Sequence, residues 1–110
     1  MKILVVEPNK RPYEQEISGS LESMQSIVNG LIEAIYPFLD EVALVCNDEG
    51  KILNLSLNRY LCRNGSPCDY IAGTFFLCST PSDSDSFQSL SDEQIEKYTK
   101  ICSDIFIEIK

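Results

Sequence analysis

The sequence predicts a small α+β domain, with a mainly antiparallel sheet of about five or six strands and two helices packed on it. Three observations carry this expectation. Short apolar runs with period-two alternation recur along the chain, as half-buried or buried strands require. Two segments, around residues 20–29 and from residue 92 onward, instead repeat their apolar residues at helical spacing. The length of 110 residues, 44% of them apolar, suits one domain with one core.

The opening Ile3, Leu4, Val5 and Val6 put apolar side chains on both faces, which marks a strand inside a sheet rather than at its edge. Glu7-Pro8-Asn9-Lys10-Arg11-Pro12 follows as a turn, its two prolines ending the strand. Tyr13, Gln15 and Ile17 alternate with Glu14 and Glu16, so this segment reads as the returning arm of a hairpin with one wet face. Ser18-Gly19-Ser20 supplies capping hydroxyls for a first helix over about residues 20–29, and Gly30 stands where a left-handed C-terminal cap would fall. Leu31–Tyr36 reads as a strand stopped by Pro37. Val42–Cys46 and Lys51–Leu55 flank Asn47-Asp48-Glu49-Gly50 and read as a second hairpin.

From Ser56 to Tyr70 the pattern dissolves into a loop containing an Asn64-Gly65 turn. Ile71–Cys78 reads as one strong strand in which Gly73 marks a bulge or a close backbone approach. Residues 79–91, rich in Ser and Asp, form a solvated connector. Ser91-Asp92-Glu93-Gln94 is a capping-box pattern opening a second helix from residue 92 to near the end, with Ile95, Tyr98, Cys102, Ile105 and Ile109 on one face. Residues 1–110 thus form a single domain without internal repeats.

Composition removes several functions. The chain has no His, hence no Ser–His or Cys–His dyad and no imidazole metal ligand. Its formal net charge of -8 argues against direct nucleic-acid binding, which rests on neutralising phosphates with Lys and Arg. No apolar run reaches the roughly 18–20 residues of a membrane span, and the start lacks a secretory pattern. No membrane role and a cytoplasmic location are therefore expected. The spacing of the acids selects no catalytic pair, so the chain is expected not to be an enzyme and to need no cofactor.

Charge is segregated along the chain. Residues 12–50 hold eight acids (Glu14, Glu16, Glu22, Glu33, Asp40, Glu41, Asp48 and Glu49) and no Lys or Arg; residues 51–68 hold Lys51, Arg59 and Arg63 and no acid. Such a stretch solvates and solubilises, or it docks on a basic partner protein, with Glu14, Glu16, Asp40, Glu41, Asp48 and Glu49 facing the partner's Lys and Arg. The cationic segment offers a second reading: Asn58, Arg59 and Arg63 around a small anionic ligand or nucleotide. Against it stands the expectation that these arginines pair weakly with the acids of residues 40–49. Cys46, Cys78 and Cys102 read as core residues, and Cys62 and Cys68 flank a turn; no C-x-x-C pair exists, so no metal site is expected. The Asp83-x-Asp85 start of a calcium loop fails at Phe87, Gln88 and Gln94.

The segments Lys2–Tyr13, Tyr36-Pro37-Phe38, Val45–Lys51, Leu57-Asn58-Arg59, Ile71–Phe76 and Leu90–Gln94, taken in order, resemble a domain-of-unknown-function family of small proteins carried by bacterial phages, plasmids and conjugative elements. The resemblance brings no catalytic residues. It implies a mobile-element protein that inhibits a host defence nuclease, of the anti-CRISPR or anti-restriction kind, and this agrees with the acidic surface. Whether the chain works as a monomer or a homodimer is open at this level.

Overall fold

In the computed structural model, which describes residues 1–109, a five-stranded antiparallel sheet carries the core and a three-stranded sheet packs beside it. The elements run β1 (Lys2–Val6), β2 (Tyr13–Glu16), α1 (Leu21–Val28), β3 (Ile32–Ile35), β4 (Val42–Asn47), β5 (Leu57–Arg63), β6 (Ser66–Ala72), β7 (Phe75–Ser79), α2 (Asp92–Cys102) and β8 (Phe106–Glu108). Strand order in the main sheet is β2-β1-β7-β4-β3, and in the small sheet β6-β5-β8. The α+β class with a mainly antiparallel sheet and two helices is as expected; among the described residues only β5 and β8 pair in parallel.

The three central strands β1, β7 and β4 are buried on both faces, as their unbroken apolar runs require. Alternation sends Ile3, Val5, Ala43, Val45, Phe76 and Cys78 to one face, under Met24 and Val28 of α1. The other face, with Leu4, Val6, Val42, Leu44, Phe75 and Leu77, packs against Tyr98 and Cys102 of α2 and Leu61, Ile71 and Ile107 of the small sheet. The helices therefore lie on opposite sides of the main sheet. Each fully buried aromatic or aliphatic side chain contributes on the order of 1.5–3 kcal/mol by leaving water.

Local chemistry sets the helix ends. The Ser20 hydroxyl accepts from Ser23 N at 3.1 Å, and Ser91 and Gln94 form a complete capping box. The left-handed cap of α1 is Asn29 (φ 60°), not Gly30, because Asn tolerates that conformation. Gly30 instead lies against the Asn47 amide, which donates to Val28 O and Asn29 O at 3.1 and 3.3 Å.

Three expectations about strands fail. Lys51–Leu55 is not a hairpin arm: Leu53 N donates to Glu49 O and Leu55 N to Gly50 O, winding residues 49–55 into a turn, while β4 is already flanked by β3 and β7. The segment from Ser56 to Tyr70 is not a loop. It supplies β5 and most of β6, joined by Asn64 and Gly65 at φ 54° and 79°, the doubly positive geometry of a two-residue type I′ hairpin. Ile71–Cys78 is not one strand either. It breaks at Gly73, and β6 and β7 belong to different sheets.

The second helix also stops short of the expected end. Ser103 Oγ donates back to Thr99 O at 2.6 Å, Asp104 accepts from Phe106 N at 3.0 Å, and the chain turns into β8, so Ile105 lies off the helix and is exposed. Residues 79–91 are mostly exposed, but Gln88 bridges to Ser79, and Leu90 is buried with its N–H on Lys2 O.

Gly73 is where both sheets depend on one residue. Its φ of +86° suits glycine, and an added Cβ would sit 2.7 Å from Leu55 Cδ1. Gly73→Ala is expected to cost about 1–3 kcal/mol, read as a lower urea midpoint with an unchanged slope.

Candidate functional site

A recess of about 410 Å³ opens between the main sheet's outer strand β3 and β6 of the small sheet. Glu33, Ile35 and Cys46 line it from the main sheet. Glu33 pairs with Cys46 and Ile35 with Leu44 in the β3–β4 register, which places all four on the face turned toward the small sheet. Asp69, Tyr70, Ile71 and Ala72 of β6 line it from the other side, and Asp48, Lys51 and Ile52 come from the turn after β4.

Carboxylates outnumber cations in this groove. Glu33, Asp48 and Asp69 face a single Lys51, whose ammonium is already bound to Asp69 and lies 4.5 Å from the Tyr70 ring centre. The hydrogen bond and charge of Lys51 hold the Asp69 carboxyl below its usual range, and Asp69 in turn raises Lys51. Burial, reinforced by Glu33, Asp48 and Asp69, pushes the Cys46 thiol up to about 11. β3 has β4 as its sole partner among the described residues, so its outer edge is open. Leu31 O accepts from Asp48 N at 2.8 Å, and the antiparallel alternation then directs the main-chain groups of Ile32 and Ala34 toward that open edge. Leu31 and Tyr36, flanking β3, are 56% and 63% exposed.

The six acids expected to meet a partner are spread over the surface. Glu14 and Glu16 lie on β2, at the opposite edge of the main sheet from β3. Glu16 pairs with the terminal ammonium of Met1 at 3.2 Å. Asp40 and Glu41 precede β4; the Asp40 carboxylate accepts from Tyr98 Oη at 3.1 Å and Glu41 N at 2.8 Å, and lies 3.6 Å from Lys97 Nζ. Asp48 and Glu49 follow β4, and Asp48 alone of the six lines the groove. Glu33 was counted among the acids but not singled out. Asp69 and Tyr70 lie on β6, whose exposed, polar sequence gives no strand pattern.

The expected cationic site is split. Asn58 and Arg59 are buried, whereas Arg63 is exposed beside the Asn64-Gly65 turn. Neither arginine pairs with the acids of residues 40–49, which corrects that expectation. Arg59 points inward and binds carbonyls: Nε donates to Cys102 O at 2.9 Å, Nη1 to Asn58 Oδ1 at 2.8 Å and Asn58 O at 3.2 Å, and Nη2 to Lys10 O at 2.9 Å. Asn58 Nδ2 donates to Val6 O and Gly73 O at 2.8 and 2.9 Å. Burial lowers the Arg59 guanidinium from its usual value. All five cysteines are free, with Cys68 exposed and Cys46, Cys62, Cys78 and Cys102 buried. Among the described residues, no group of three or more Cys, Asp or Glu side chains is placed to hold a metal ion. Among the described residues, no helix is long and apolar enough to cross a membrane.

Fold and groove together define a small α+β domain with one open sheet edge beside an acid-lined recess. The chain belongs to the family described as Domain of unknown function (DUF3846), whose model matches residues 1–103. That match runs from β1 through α2 and ends before β8. No curated protein and no solved structure matches the chain.

Two outcomes follow from this geometry. Arg59→Lys should lower stability by about 3 kcal/mol in urea unfolding, because one ammonium cannot reach Cys102 O, Lys10 O and Asn58 together and leaves buried carbonyls bare. At pH 8 an alkylating reagent should modify Cys68 rapidly in the native protein. Cys46, Cys78 and Cys102, with thiols raised to about 11, 12 and 12, should react only after unfolding, as peptide mass mapping would show.

Proposed function

We propose that the protein is a non-enzymatic binding module that takes an extended, basic segment of a partner protein into the groove between β3 and β6. The observation that carries this reading is the open β3 edge lying beside a recess with carboxylates in excess. An added strand would pair with the outward main-chain groups of Ile32 and Ala34. Its alternate side chains would reach the groove, where Ile35, Ile52 and Tyr70 receive apolar ones and Glu33 and Asp48 receive Lys or Arg. The acids outside the groove, Glu14, Glu16, Asp40, Glu41 and Glu49, act through the field of the net charge of -8, which steers a basic partner at long range.

The partner class is a bacterial defence nuclease, inhibited by occlusion of its basic nucleic-acid channel, and the carrier is a phage or other mobile element in a bacterial cytoplasm. Support for this comes from the sequence resemblance and from the acidic balance.

Native mass spectrometry of a tagged copy purified gently from a bacterial host is expected to show a basic protein that is lost at high salt, since exposed charges are screened beyond about 8 Å at physiological ionic strength. With that partner in hand, Glu33→Lys with Asp48→Lys should weaken binding about tenfold or more, and Glu14→Lys with Glu16→Lys only a few-fold. Equal losses from the two pairs would mean that general charge, not the groove, holds the partner.

A further inference from the structure

The second recess, about 270 Å³, lies between the β1–β2 turn, β5 and the end of α2, and shares no lining residue with the groove. Asn9, Lys10, Arg11, Asn58, Arg59, Ser103 and Ile105 line it. Three of the nine basic residues of a chain with formal net charge -8 meet here, and no carboxylate lines the cleft.

Arg59 is 4% exposed, and its guanidinium has no carboxylate within ion-pair distance among the described residues. A guanidinium carries five N–H donors. Four are accounted for on Cys102 O, Asn58 O, Asn58 Oδ1 and Lys10 O, which leaves one on Nη2. The acceptors are carbonyl dipoles, so the buried positive charge is solvated without a directly bonded counter-ion. Lys10 is 65% exposed and meets Glu7 at 3.7 Å, a long surface pair that an incoming anion can displace. Arg11 is exposed. Asp104, between the lining residues Ser103 and Ile105, acts on the Arg59 charge from beyond ion-pair distance and accepts a hydrogen bond from Phe106 N.

From this arrangement we propose that the cleft is an anion site for a phosphate group, with the remaining Nη2 N–H of Arg59 at its floor and the Lys10 ammonium and Arg11 guanidinium closing over it. A phosphate fits better than a carboxylate because three separate cationic residues line the cleft, and a tetrahedral dianion offers an oxygen to each. The site differs from the Asn58, Arg59 and Arg63 set expected from sequence: Arg63 is replaced by Lys10 and Arg11, brought in by the β1–β2 turn.

The test is titration of the isotope-labelled protein with inorganic phosphate, adenosine monophosphate and acetate, followed by amide and Arg Nε–H resonances. Saturable shifts at Asn9, Lys10, Arg11, Ser103 and Arg59 Nε–H with phosphate, much weaker with acetate, are expected. Tighter binding of the nucleotide would identify a phosphorylated metabolite as the source, and equal binding the free ion. The variant Lys10→Ala with Arg11→Ala alters two exposed side chains and should weaken phosphate about tenfold while keeping the native spectrum. Non-saturating shifts, equal response to acetate, or undiminished binding in that variant would overturn the proposal. Partner capture through the groove is read separately, so either proposal can fail alone.

Discussion

The structure depends on the burial of one charge. Arg59 carries a cation into the seam between the two sheets and is held there by main-chain carbonyls and the Asn58 amide rather than by a carboxylate. Through this pair the end of β1 (Val6 O), the break before β7 (Gly73 O), the β1–β2 turn (Lys10 O) and the last residue of α2 (Cys102 O) are fixed to β5. The last carbonyls of a helix carry partial negative charge, so the guanidinium both caps α2 and is stabilised by it. Desolvation lowers the guanidinium's affinity for its proton, yet an arginine stays charged across all working pH values. No buried side-chain N or O atom among the described residues lacks a partner, which is the condition for carrying such a group at all.

The two sheets are held by different means. In the main sheet β1, β4 and β7 are apolar on both faces, and α1 and α2 seal opposite sides. The small sheet contributes Leu61, Ile71 and Ile107 to the core, but the first five residues of β6 are exposed. Its attachment therefore leans on the Asn58–Arg59 bonds and on Gly73, which lets the chain leave one sheet and enter the other within two residues. Loss of either polar clamp should loosen the β5–β6 hairpin before it loosens the main sheet, since the most buried apolar contacts remain.

How much of this was legible in the sequence follows from the range of the interactions. The buried strands β1, β4 and β7, the capped starts of α1 and α2 and the core cysteines declare themselves through local pattern. The hairpin β5–β6 did not, because five of the seven residues of β6 face solvent and its pattern is polar; yet Asn64-Gly65 was the strongest short-range signal available for it. Lys51–Leu55 misled in the opposite sense. Its apolar residues Ile52 and Leu53 are 79% and 55% exposed, so hydrophobic composition there reflects surface and not a strand. Of the site residues, Asp48 and Arg59 were visible by charge and Asn58 as the amide beside Arg59, but which side chains each would meet was not. Lys10 and Arg11 reach Arg59 across 49 and 48 positions of sequence, a distance at which spacing carries no information.

The main sheet has two open edges, and they are not equivalent. On β2 the residues Tyr13-Glu14-Gln15-Glu16 place two carboxylates along a four-residue strand, and charge on an edge opposes pairing with a further strand. On β3, Ile32-Glu33-Ala34-Ile35 places one, and exposed Leu31 and Tyr36 stand at either end. The small sheet's outer strand β6 has Pro67, which removes a donor, and Asp69. Among β2, β3 and β6, β3 is the edge least protected against an added strand, and it borders the recess in which Glu33, Asp48 and Asp69 gather. An edge left this open to any strand would favour self-association. The carboxylates give the selection: a second copy of this acidic chain brings like charge to the groove, while a basic segment brings the opposite, so the same residues that repel the first attract the second.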